Sequence, residues 1–84
     1  NMNKYTLNID GMMCSMCEAH ISDTIRKALP NAKKVSASRS KKEATFIIDE
    51  NINEEDLKNA IDQTGYTCLG IKSEPYQKKG LFGF

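Results

Sequence analysis

Near the start of the chain Tyr5, Leu7 and Ile9 alternate with Thr6, Asn8 and Asp10, the period-two pattern of a strand with one buried face. Gly11 lets the chain turn, and beyond it the period changes. From Ser15 to about Leu29 the apolar positions Cys17, Ile21, Ile25 and Leu29 recur every four residues, with Glu18, Ser22, Asp23, Arg26 and Lys27 on the other side. This predicts an amphipathic helix, ended by Pro30-Asn31. Lys34 to Arg39 reads as a weaker strand carrying Val35 and Ala37, Ser40-Lys41-Lys42 as a turn, and Ala44-Thr45-Phe46-Ile47-Ile48 as a strong β-branched strand. Asn53 is placed to cap a second helix, and the acids Glu54, Glu55 and Asp56 suit the positive end of its dipole. Leu57, Ala60 and Ile61 form the inner face of that helix, Gly65 its stop, and Tyr66 to Lys72 a fourth strand.

The element order is therefore β-α-β-β-α-β. Two such halves fold as an α+β, ferredoxin-like sandwich, a four-stranded antiparallel sheet with both helices on one face. Residues 3–73 make up the domain. Residues 74–84, Glu74 to Phe84, lack periodicity and are expected to form a flexible C-terminal tail. Its Lys78, Lys79, Leu81, Phe82 and Phe84 would suit a membrane surface or a partner, but so short a segment does not anchor alone.

Eighty-four residues leave room for one core. The formal charge of +1 gives no electrostatic reason to expect nucleic acid. No apolar run approaches the ~20 residues that cross a bilayer, and the first residues lack the pattern of a secretory signal. The expectation is a cytoplasmic protein without stable membrane insertion. The three cysteines agree, because a secreted disulfide framework would use an even and larger number.

Chemistry concentrates in Gly11-Met12-Met13-Cys14-Ser15-Met16-Cys17, where the first strand gives way to the first helix. Two thiols three residues apart at a helix start can turn both sulfurs toward one point. The unpaired N–H groups of the first turn and the helix dipole favour their thiolate forms. A thiolate pair suits a soft ion: Cu(I) first, with Zn(II), Cd(II) or Hg(II) also accommodated. Cys14 and Cys17 are the candidate metal ligands. His20, three residues after Cys17, is either an exposed helical histidine or a third ligand that would favour Zn(II). Met13 and Met16 would form an apolar, polarizable collar. Cys68 is expected to be a small buried side chain.

The chain resembles the heavy-metal-associated domains of small bacterial copper chaperones and of the N-terminal modules of metal-transporting P-type ATPases. The resemblance covers about residues 3 to 73. It rests on Gly11, Met12, Cys14 and Cys17, on the element order, and on Ala60-Ile61-Asp62-Gln63-Thr64-Gly65-Tyr66. It implies one metal ion on Cys14 and Cys17 at an exposed loop, with Met12 turned inward and Tyr66 beside the site. A tyrosine there goes with bacterial copper chaperones, whereas phenylalanine is commoner in ATPase modules and mercury-binding relatives. The resemblance implies a non-enzymatic carrier of Cu(I) that serves a P-type ATPase or a metal-responsive regulator, as a monomer or a metal-bridged dimer. A regulatory module of a larger ATPase and, from another class, a dithiol redox protein are the alternatives. An RNA-binding module of the same topology is disfavoured, since it would need exposed strand aromatics and the central strands offer only Phe46.

Overall fold

In the computed structural model, which describes residues 2–76, the elements follow the expected order. They are β1 (Asn3–Asp10), α1 (Ser15–Ala28), β2 (Lys33–Ser38), β3 (Glu43–Ile48), α2 (Glu54–Asp62) and β4 (Thr67–Pro75). The strands form one sheet in the order β2-β3-β1-β4, and every neighbouring pair is antiparallel. This is the ferredoxin-like arrangement.

Strand alternation sends Tyr5, Leu7 and Ile9 of β1 and Ala44, Phe46 and Ile48 of β3 to one face. There they meet Ile21 and Ile25 of α1 and Leu57 and Ile61 of α2 in a single cluster, which Met12 and Cys68 also join. Tyr5 and Phe46 are directly opposed across β1 and β3, and their rings stack 5.3 Å apart. Phe46 is thus buried in the core and is not available for stacking on a base. Ile47, between Phe46 and Ile48, is buried on the opposite face of the sheet, where Lys4, Lys34 and Tyr76 surround it.

Three details depart from the sequence reading. Ser22, expected on the polar side of α1, is buried, because it adjoins Ile21 at the edge of the apolar stripe. In β4 the alternation fails: Cys68 is buried and Ile71 packs on the same core, while Leu69 is 68% exposed. The register supplies the reason. Asn8 pairs with Gly70 but Ile9 pairs with Cys68, so Leu69 is an extra residue in a β-bulge that lets Cys68 and Ile71 share a face. Finally, β4 continues through Pro75, and the Tyr76 N–H donates to Met2 O at 2.9 Å. Glu74 and Pro75 therefore pair with β1. The tail residues Lys78, Lys79, Leu81, Phe82 and Phe84 lie outside the described residues.

Candidate metal centre

The end of β1 delivers the chain to the site. Asp10 pairs with Thr67 of β4, which sets Gly11 beside Tyr66. Gly11 has φ +104°, a backbone conformation that strains any residue with a side chain, and a Cβ there would meet Tyr66 Cδ1 at 3.4 Å. The positive φ selects glycine, and the Tyr66 ring lies within ordinary contact of the position. Met12 follows and is 6% exposed, its side chain in the core cluster and its backbone in the loop. The loop is thereby tied down at its base. Met13 and Met16, by contrast, are 83% and 80% exposed, and Met16 lines the depression that holds the two thiols.

Cys14 is the N-cap of α1. Its backbone is extended, and its sulfur accepts the Cys17 N–H at 3.3 Å, the position that a serine or aspartate oxygen usually takes. The same capping geometry turns its sulfur toward Cys17, and the two Sγ atoms stand 2.7 Å apart. All three cysteines are unbridged thiols. Cys14 is exposed, Cys17 is half-buried and Cys68 is buried. The two expected ligands thus converge at the rim of the molecule, one of them open to solvent.

Electrostatics favours the thiolate at Cys17, whose pKa falls from 9.0 to about 7. The hydrogen bond with Cys14 contributes most, followed by the Tyr66 hydroxyl and the Met13 backbone N–H, against a smaller opposing effect of burial. The Tyr66 hydroxyl is correspondingly raised, first by its hydrogen bond to Cys17. Burial pushes the Cys68 thiol up, which makes it a poor ligand as well as an enclosed one.

Cys14, Met16, Cys17, Ala19, His20, Asp23 and Tyr66 line one open depression. His20 is exposed and meets Tyr66 edge to face, with ring centroids 5.9 Å apart. Among the described residues no three of His, Cys, Asp and Glu close on one point, so the site at rest is a dithiol rather than a three-ligand cage.

One residue that braces the site is not apparent from the sequence. Glu18, directly after Cys17, accepts the Arg39 backbone N–H at 2.7 Å, and its carboxylate lies 3.6 Å from the Arg39 guanidinium. It clamps the first turn of α1 to the β2–β3 hairpin. The signal was faint: an acid in a first helical turn reads simply as a dipole partner.

Fold and sulfur pair together define a small ferredoxin-like domain that presents two adjacent thiols at its rim. The family model described as heavy-metal-associated domain matches residues 6–67, and the chain belongs to that family. A mercuric reductase from Lysinibacillus sphaericus is 37% identical over 71 residues, which cover 84% of this chain and 13% of the reductase. The chain therefore spans only a small part of that relative. Among solved structures, the N-terminal domain of a potential copper-translocating P-type ATPase from Bacillus subtilis, in the Cu(I)-loaded state, superimposes with a TM-score of 0.71. It is 21% identical, with 93% of this chain and 98% of that one covered. The N-terminal domain of ZntA in the Zn(II) form gives a TM-score of 0.68 at 18% identity, covering 90% of this chain and 97% of that one. At those identities the two structures show the shared fold alone. Among the described residues no helix is long and apolar enough to cross a membrane.

Proposed function

We propose that the domain carries one soft metal ion, Cu(I), on Cys14 and Cys17 and hands it to a partner by thiolate exchange. The observation that supports this most directly is the convergence of the two sulfurs, 2.7 Å apart, with Cys14 exposed. Sulfur–metal bonds of about 2.3 Å set two sulfurs about 3.8 Å apart at a tetrahedral angle and about 4.6 Å apart in a linear pair, so the thiols must separate by more than about 1 Å to admit an ion. Two thiolates satisfy Cu(I) at low coordination number and leave an approach for a third. A partner thiolate enters beside Cys14, a three-coordinate shared state forms, and the domain's own thiolates leave one at a time. Half-buried Cys17, supported by Tyr66, retains the ion longest. The exposed Met13 and Met16 surround the exchange with an apolar surface. Tyr66 also supports copper, since the resemblance associates a tyrosine at that place with bacterial copper chaperones. The partner in this reading is a P-type ATPase or a metal-responsive regulator in the cytoplasm, or the remainder of a longer ATPase chain.

A second reading, Hg(II), is favoured by the identity to mercuric reductase. In it the same pair captures Hg(II) and delivers it to thiols elsewhere. The dithiol redox alternative has no comparable support.

A competition titration of the reduced protein tests the proposal. One Cu(I) should bind per chain, and Cys14→Ser or Cys17→Ser should each abolish tight binding while the fold persists. Unchanged affinity in either variant overturns it. Elemental analysis of protein recovered without oxidation from cells given both metals separates copper from mercury.

A further inference from the structure

We propose that His20 is a metal-selective third ligand, recruited by Zn(II) and left aside by Cu(I). This rests on Cys14 and Cys17 holding the ion. His20 stands one turn after Cys17 on α1, and residues three apart on a helix have neighbouring side chains. Helical side chains lean toward the N-terminus, which carries the His20 imidazole back over the turn that bears Cys17. The ring lines the same depression as Cys14, Cys17 and Tyr66. At rest it lies edge-on to Tyr66, 5.9 Å between centroids, and the three candidate ligands do not yet meet. His20 is exposed, so its side chain is free to change rotamer within the depression it shares with the two thiols. Asp23, one further turn along, borders the same depression and is held by Arg26 at 3.1 Å. A carboxylate near a ligating imidazole is the usual partner for its second ring nitrogen.

The chemistry of the ions makes the difference. Zn(II) seeks four ligands and accepts imidazole nitrogen readily, so two thiolates leave it under-coordinated. Cu(I) is satisfied by the sulfur pair and gains little from a harder nitrogen. The imidazole therefore separates two ions that the thiol pair alone would both accept.

The test uses the full reduced chain with nitrogen-15-labelled imidazole, titrated separately with Zn(II) and with Cu(I). One imidazole nitrogen of His20 should shift as Zn(II) fills the site and stay in place with Cu(I). His20→Ala should weaken Zn(II) binding by at least about tenfold, the loss that even an outer partner of a ligand produces, and leave Cu(I) affinity at its wild-type value. An imidazole signal unmoved by Zn(II), or an unchanged ratio of the two affinities in His20→Ala, overturns the inference while leaving the thiol site intact. Undiminished binding of both ions after replacing both Cys14 and Cys17 with serine would instead overturn the carrier reading on which it rests. The resonance experiment needs no variant, so it decides the matter even if His20→Ala folds poorly.

Discussion

Cys17 ionises early chiefly because the Cys14 thiol stands 2.7 Å from its sulfur, with smaller favourable contributions from the nearby Tyr66 hydroxyl and Met13 backbone. With a pKa of about 7 it is half thiolate near neutrality, and only the thiolate attacks an alkylating agent. Iodoacetamide modification of Cys17 in metal-free protein, followed by mass spectrometry, should therefore rise through a midpoint at about pH 7. Tyr66→Phe removes the hydroxyl that contributes to this lowering and should move that midpoint upward. The same values set the pH dependence of stability. The folded-state pKa of Cys17 lies below its ordinary 9.0, so its contribution is complete above 9.0 and is lost as pH falls through about 7. Cys68 has the opposite sign: its pKa is raised by burial, so its contribution is present below 9.0 and is lost at higher pH. The thermal midpoint of the metal-free protein should climb between pH 7 and 9 and turn down beyond. Cys17→Ser should flatten the climb, and a climb of full size in that variant would refute the assignment.

The elements carry the site through contacts that differ in how plainly the sequence announces them. The four strands and two helices were legible, because Tyr5-Leu7-Ile9 and Cys17-Ile21-Ile25-Leu29 are long, clean periodic runs that tertiary packing has no reason to override. The sulfur pair was legible for the same reason, since three-residue spacing at a helix start is a local geometry. The bulge at Leu69 was not: nothing local distinguishes Cys68 from Leu69, and only pairing with β1 decides which of them faces the core. Nor was the Glu18–Arg39 clamp, whose partners are 21 residues apart and meet only once the β2–β3 hairpin lies beside α1. The exposed ion pair itself is worth little, but a charge-assisted bond from a backbone N–H to a partly buried carboxylate contributes more. Glu18→Ala should destabilise the domain by about 1–2 kcal/mol in urea unfolding. Glu18→Gln keeps an acceptor and should lose less. Equal stability of Glu18→Ala and wild type would show that the clamp contributes nothing.

At the scale of the whole molecule the thiol end gathers four separate pieces: the exit of β1, the first turn of α1, the β2–β3 hairpin and the turn before β4. Asp10 with Thr67, Gly11 with Tyr66, Asn8 with Glu43 and Glu18 with Arg39 bind them to one another. The sulfurs are thus held by a folded framework, although Cys14 and Cys17 are so close in sequence that an unfolded chain keeps them as a pair. This bears on how metal affects stability. An ion that binds only the native state stabilises it by about 4 kcal/mol at a thousandfold excess over its Kd. A soft ion also binds the unfolded thiol pair, so the observed gain should be smaller than the native Kd alone dictates. What remains measures how much the framework adds to the bare peptide. Gly11→Ala keeps both thiols but strains the backbone at φ +104°, and it should shrink that remainder. Urea unfolding at graded Cu(I), in wild type and Gly11→Ala, provides the comparison. A gain equal to the full native-state value would mean that the unfolded pair does not hold the ion. An identical gain in both proteins would mean that the framework around Gly11 adds nothing to the grip of the sulfurs.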